Sequence, residues 1–193
     1  TAIFFKLHAG EGGEKGLRAT HTSMVKNEGK AELDGQQVRV VDYPGHLRLR
    51  PVLFSQLEDC CAVVFVIDSA AFVKQAKETA ELMLDLMTSP ALLKHASRML
   101  VVCNKTDSMP DDLAGIQPRN LVRKRLETEI EALRASRKSG LGDTGNSDLV
   151  ELEIEGNAFR WSDSPVEAEF IDYSAKNDTL SPIAKFVSSC KAG

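Results

Sequence analysis

Two short hydrophobic runs constrain this chain more than any other feature: Cys61–Asp68, CAVVFVID, and Met99–Asn104, MLVVCN. Both are continuous rather than alternating and rich in valine, which suits strands buried on both faces of a parallel sheet. Between them, Ala70–Met87 places Phe72, Val73, Ala76, Ala80, Leu82, Met83 and Leu86 at helical spacing, forming a wide apolar stripe. Strand, helix, strand in that order predicts parallel pairing through a right-handed crossover. The alternation continues with a charged helix from about Pro118 to Arg137, a strand in Glu167–Ser174 and an amphipathic helix over Ser181–Lys191. Upstream, residues 1–9 read as a short apolar helix, Ala31–Asp42 as a hairpin turning at Asp34-Gly35, and Leu47–Asp59 as a helix. Lys138–Asp148, KSGLGDTGNSD, has the composition of a flexible insertion. The expectation is an α/β fold with a mostly parallel, helix-flanked sheet.

At 193 residues the chain accommodates one domain with a substantial core. A net charge of −4 argues against general nucleic-acid affinity, which needs a basic face to neutralise phosphates. Cys60, Cys61, Cys103 and Cys190 show no C-x-x-C spacing, so a reduced, cytosol-facing setting is expected. Cys61 and Cys103, inside apolar runs, are expected in the core. His8, His21, His46 and His95 lack the spacing of a metal site. No apolar run approaches the roughly 20 residues of a membrane-spanning helix.

The chemistry concentrates where strands end, the place where open α/β sheets bind ligands. Gly10-Glu11-Gly12-Gly13-Glu14-Lys15-Gly16 is glycine-rich but does not match G-x-x-x-x-G-K-[ST], the phosphate-cradling loop. Three strand ends carry a matched set instead. Asp42-Tyr43-Pro44-Gly45 offers a carboxylate able to hold Mg²⁺ through water and a glycine whose backbone N–H can approach a γ-phosphate. Asn104-Lys105-Thr106-Asp107 offers a carboxylate for the ring N–H and exocyclic amine of guanine, a donor pair that adenine lacks. Asn104 would tie that loop to its neighbours, and the Lys105 alkyl stem would lie over the base plane. In Ser174-Ala175-Lys176, backbone N–H groups can meet the guanine carbonyl oxygen.

Taken in this order, the three resemble the guanine-nucleotide-binding G-domain, a P-loop GTPase fold. That resemblance implies GTP and Mg²⁺ as ligands. It also implies that Thr1 is the last residue of G-x-x-x-x-G-K-T and a Mg²⁺ ligand, with the first strand and most of the P-loop expected upstream. The chain as written is therefore expected to bind GTP weakly or not at all, and a longer form carrying that loop to bind it well.

The wording is more particular still. DYPGHLRLRPVLF, VVFVIDSAAFVKQAKETAELM and MLVVCNKTD together resemble the beta-subunit family of the signal recognition particle receptor, Arf-like small GTPases. The resemblance implies a single G-domain over residues 1–193, with switch I in 10–30 and switch II in 42–59, and composition places the flexible insertion within 138–150. Thr22, with Thr20 as its neighbouring alternative, is similar to the switch I threonine that closes on Mg²⁺ and the γ-phosphate. Asp42 and Gly45 match switch II. His46 stands where Ras and Arf relatives carry the glutamine that orients the attacking water, so intrinsic hydrolysis is expected to be slow or partner-dependent, or His46 simply faces solvent. The family further implies a heterodimer with the receptor's alpha subunit and attachment to the endoplasmic reticulum membrane, cytosolic face, through an upstream transmembrane helix. Competing readings are another Arf-like GTPase, a translational-type GTPase, which also uses D-x-P-G-H wording, and a G-domain scaffold without nucleotide turnover.

Overall fold

The computed structural model describes residues 2–9, 25–33, 35–45, 47–96, 98–110, 113, 115–139, 150–152, 154 and 158–190. In chain order the elements are α1 (Ala2–Ala9), β1 (Asn27–Leu33), β2 (Gln36–Asp42), α2 (Arg50–Phe54), β3 (Val63–Asp68), α3 (Phe72–Met87), α4 (Pro90–His95), β4 (Arg98–Asn104), α5 (Pro118–Lys138), β5 (Glu167–Asp172) and α6 (Ser181–Ser189). They fall into two compact units, Thr1–Gln56 with Ala175–Gly193, and Leu57–Ser174.

In the first unit β1 and β2 pair antiparallel, with Leu33 opposite Gln36. That register leaves a two-residue loop, and Gly35 occupies it at φ +75°, a backbone conformation that a side chain disfavours. Ala31 and Leu33 form a small buried cluster with Ala184, against which Leu7, Val38, Val40 and Val187 pack. The strand alternation thus turns one face of the hairpin towards the helices of its own unit. Close approach of α1 to β1 explains Gly29, where a Cβ would stand 2.9 Å from His8 Nδ1.

The expected helix over Leu47–Asp59 is interrupted. A 3-10 turn at Leu47–Leu49, the five-residue α2 and a second 3-10 turn at Leu57–Asp59 replace it. Pro51 lies in the first turn of α2. Proline is tolerated there because its missing N–H would have no intrahelical partner, whereas a helix running through it would lose a bond and meet a clash.

In the second unit β3, β4 and β5 form a three-stranded parallel sheet in that order. β4 is central, and Met99 to Cys103 are fully buried. β3 lies at the edge of this sheet: Ile67 is its one buried residue, and Val66 is 47% exposed. The valine run therefore signals a strand correctly but not burial on both faces, because burial depends on neighbours that the run itself does not specify. Cys61, just before β3, is likewise exposed rather than in the core, while Cys103 is buried as expected.

α3 buries Phe72, Ala76, Ala80, Leu82, Met83, Leu84, Leu86 and Met87, and Val73 falls outside the stripe at 54% exposed. α5 presents Val122, Leu126 and Ile130 to the core at successive i,i+4 positions. α4, six residues long, is too short for periodicity to announce. Behind the sheet Trp161 meets Phe159 and Phe170 edge to face, at 5.4 Å and 4.8 Å, and its Nε1–H donates to the Arg123 carbonyl at 3.0 Å. Among the described residues, no helix is long and apolar enough to cross a membrane. Residues 10–24 of the expected switch I and residues 140–149 of the expected insertion lie outside the described residues.

Candidate functional site

Register brings the strand ends together. Asp68 lies opposite Asn104, and Cys103 opposite Asp172, so β3, β4 and β5 terminate at one level of the second unit. Backbone bonds then extend the pairing past the strands. Tyr173 N–H donates to the Cys103 carbonyl at 2.9 Å, and Thr106 N–H to the Tyr173 carbonyl at 3.3 Å. These two bonds deliver Ser174 to the loop after β4.

Asn104 is buried, and its carbonyl accepts from Ser69 N–H at 2.9 Å, tying the end of β4 to the loop after β3. Lys105 leaves the strand in the left-handed region, φ 65° and ψ 35°, the one such non-glycine residue among those described. That conformation costs about 1–2 kcal/mol for an L-residue, so the surrounding contacts must hold it. The 3-10 turn Thr106–Ser108 follows. Within it the Asp107 carboxylate accepts from Ser174 Oγ at 2.6 Å and from Ser108 Oγ at 3.1 Å. Ser174 is buried and Asp107 exposed, so a fixed hydroxyl braces a carboxylate that solvent can reach.

Lys105 Nζ meets Asp68 Oδ2 at 2.6 Å, while Asp68 Oδ1 accepts from the backbone N–H groups of Ala70 and Ala71 at 3.1 and 3.3 Å. Asp172 Oδ1 accepts from Arg119 N–H at 2.7 Å, fixing the start of α5 beside the same level. Cys103, directly before Asn104, is so deeply placed that burial pushes its thiol up to about 12. The Asp172 charge adds to that shift, and Arg119 opposes it.

Of the residues expected from sequence, Asn104, Lys105, Asp107 and Ser174 are brought together within the second unit. Ala175 is buried and Lys176 exposed in the turn that follows Ser174, and both are counted with the first unit. Asp42 ends β2 in the first unit, where its Oδ2 accepts from Asn27 Nδ2 at 3.0 Å. Gly45, three residues on, is exposed, with open space where a Cβ would stand. Thr1, Thr22 and His46 lie outside the described residues. Sequence reasoning misses Asp68 as a site residue. Its signal is available in principle, as an aspartate closing the strand that precedes the N-K-x-D strand.

Chemically, an exposed carboxylate held by two hydroxyls is suited to accept a pair of N–H donors on one edge of a planar base, as guanine presents. The left-handed lysine beside it supplies an alkyl stem on which such a base can lie.

A family profile described as signal recognition particle receptor beta subunit matches residues 1–168. The mouse signal recognition particle receptor subunit beta is 30% identical over 182 residues, covering 91% of this chain and 64% of its own length. The human subunit is 31% identical over 145 residues, covering 74% of this chain and 52% of its own length. The chain thus spans less than two thirds of the length of these relatives. Among solved structures it is similar to the mammalian SRP receptor, with a TM-score of 0.75 and 26% identity over 98% of this chain and 93% of that one. A Chaetomium thermophilum SRb-GTP/SRX complex shares the fold, with a TM-score of 0.62 and 18% identity over 89% and 80% of the two chains. The α/β fold with its parallel sheet is that of these receptor GTPases, and the chain belongs to the signal recognition particle receptor beta-subunit family.

Proposed function

We propose that this chain is the GTP-binding part of a signal recognition particle receptor, a nucleotide-dependent switch that docks the receptor's alpha subunit at the endoplasmic reticulum for co-translational protein targeting. One observation carries the reading: the Asn104–Asp107 loop is preassembled on Ser174, with the Asp107 carboxylate exposed and hydrogen-bonded at 2.6 Å. Relatives solved as SRb-GTP/SRX and SRb-GDP-Mg complexes support the same classes of ligand and partner here.

Asp107 receives the ring N–H and exocyclic amine of guanine, and the Lys105 stem covers one face of the base. Backbone N–H groups of Ala175 and Lys176 are assigned to the guanine carbonyl oxygen. Asp42, acting through water, and the hydroxyls of Thr1 and Thr22 are the residues that would hold Mg²⁺. When bound, Mg²⁺ neutralises phosphate charge. Gly45 brings an unobstructed backbone N–H to the γ-phosphate, so loss of that phosphate releases the loop. His46 is assigned to position water for a slow or partner-dependent hydrolysis. The loops ordered by GTP form the surface for the alpha subunit.

The test is Asp107→Asn in the longest natural form of the protein, read by competitive nucleotide binding. An amide presents one acceptor and one donor where the carboxylate presents two acceptors. GTP affinity is expected to fall by about 10- to 100-fold, as for loss of charged hydrogen bonds, while affinity for xanthosine triphosphate rises. Unchanged preference for GTP would remove the base-recognition role from this loop.

A further inference from the structure

Asp68 makes contacts that its position at the end of β3 does not require. One carboxylate oxygen is fixed by the N–H groups of Ala70 and Ala71, and the other meets Lys105 Nζ at 2.6 Å. The carboxylate is therefore oriented by the backbone that opens α3, and it passes that orientation to a lysine on the next strand's loop. Lys105 needs such a partner. Its backbone is left-handed, its side chain is 55% exposed, and a free lysine stem samples many rotamers. Register makes the pairing possible, since Asp68 and Asn104 are cross-strand partners.

We propose that Asp68 is a positioning residue of the nucleotide site, holding the Lys105 stem in place as the platform for the guanine base. The inference rests on the guanine-binding reading of the Asn104–Asp107 loop. Asp68 acts through Lys105 and does not touch the nucleotide. With Asp68 31% exposed, the pair is weak while solvent reaches it. A base laid over the lysine stem excludes water and strengthens the pair, so its contribution is felt chiefly in the bound state.

Fluorescent GDP binding to the longest natural form tests this with Asp68→Asn, Lys105→Met and the double variant. The Asp68→Asn amide keeps an oxygen for Ala70 and Ala71 but loses the charge facing Lys105. Each single variant is expected to weaken binding about fivefold, the upper range for a partly exposed ion pair, and the double variant to bind no more weakly than Lys105→Met. An unchanged affinity in Asp68→Asn overturns the inference. So does a loss that persists undiminished in the Lys105→Met background, since that loss would be structural. If Asp68→Asn does not fold by circular dichroism, Asp68→Glu is the second variant. It keeps the charge, and its smaller loss must vanish when Lys105→Met is combined with it; an equal loss in both backgrounds overturns the inference. Asp107→Asn separates the two levels. A switch towards xanthosine triphosphate with a neutral Asp68→Asn sinks the role of Asp68 alone, whereas no switch sinks both.

Discussion

Cys103 and Cys61 carry the same thiol into opposite surroundings. Cys103 is fully buried in the central strand, and burial pushes its thiol up to about 12; Cys61 is exposed ahead of the edge strand. Since the thiolate is the reactive form, a maleimide at pH 8 is expected to modify Cys61 in the native protein and Cys103 only after denaturation. Peptide mass analysis reads the outcome, and equal native labelling of the two would contradict the burial assigned to β4. The same contrast shows what is legible in a sequence at this scale. Asn104, Lys105, Asp107 and Ser174 can be singled out because the guanine-binding reading looks for particular functional groups at particular strand ends, and the fold brings these four together. Asp68 offers only the weak signal of an aspartate closing the preceding strand, because its place across from Asn104 is set by a register that only the paired strands define. Cys61 is misplaced from sequence because apolar neighbours do not reveal whether a strand lies at the edge or the centre of a sheet.

α5 shows how one element holds a segment that has little regular structure of its own. The Glu131 carboxylate accepts from Arg134 Nε and Nη2 at 3.0 and 2.8 Å and from Phe159 N–H at 2.9 Å. Arg134's hydrogen bond, reinforced by the Phe159 N–H and the Arg134 charge and opposed by burial, holds Glu131 below the usual carboxylate value. The contribution to stability is thus present above the unfolded-state value near pH 4.3 and is lost as pH falls through the lower folded value. Glu131→Gln is expected to cost about 1 kcal/mol at pH 7, and the gap between wild type and variant to narrow at about pH 3.5. Urea denaturation at the two pH values measures it, and an unchanged gap would mean that the charge of Glu131 contributes nothing. The helix itself is readable from Val122, Leu126 and Ile130, whose spacing makes one apolar face. The turn at Trp161–Asp163 is not, since three residues carry no period. The helix expected over Leu47–Asp59 fails for a related reason: apolar content suggests a helix, while Pro51 decides where one can begin.

For the whole molecule, parallel α/β organisation follows from alternating strand and helix patterns, and the β3-β4-β5 order carries it out in the unit Leu57–Ser174. The residues assigned to guanine lie mainly in that unit, and Asp42 and Gly45, assigned to the phosphate end, lie in the other. No pattern of charge or hydrophobicity names a protein partner, so the alpha subunit enters through family membership rather than through composition. A switch must nevertheless bind that partner differently in its two nucleotide states, because a ligand shifts an equilibrium only by its differential affinity. The decisive measurement is the affinity of the longest natural form for the receptor alpha subunit, with a non-hydrolysable GTP analogue and with GDP. Binding about tenfold or more tighter in the GTP state is predicted, within the usual range of allosteric coupling; equal affinity in the two states would contradict a nucleotide-dependent switch.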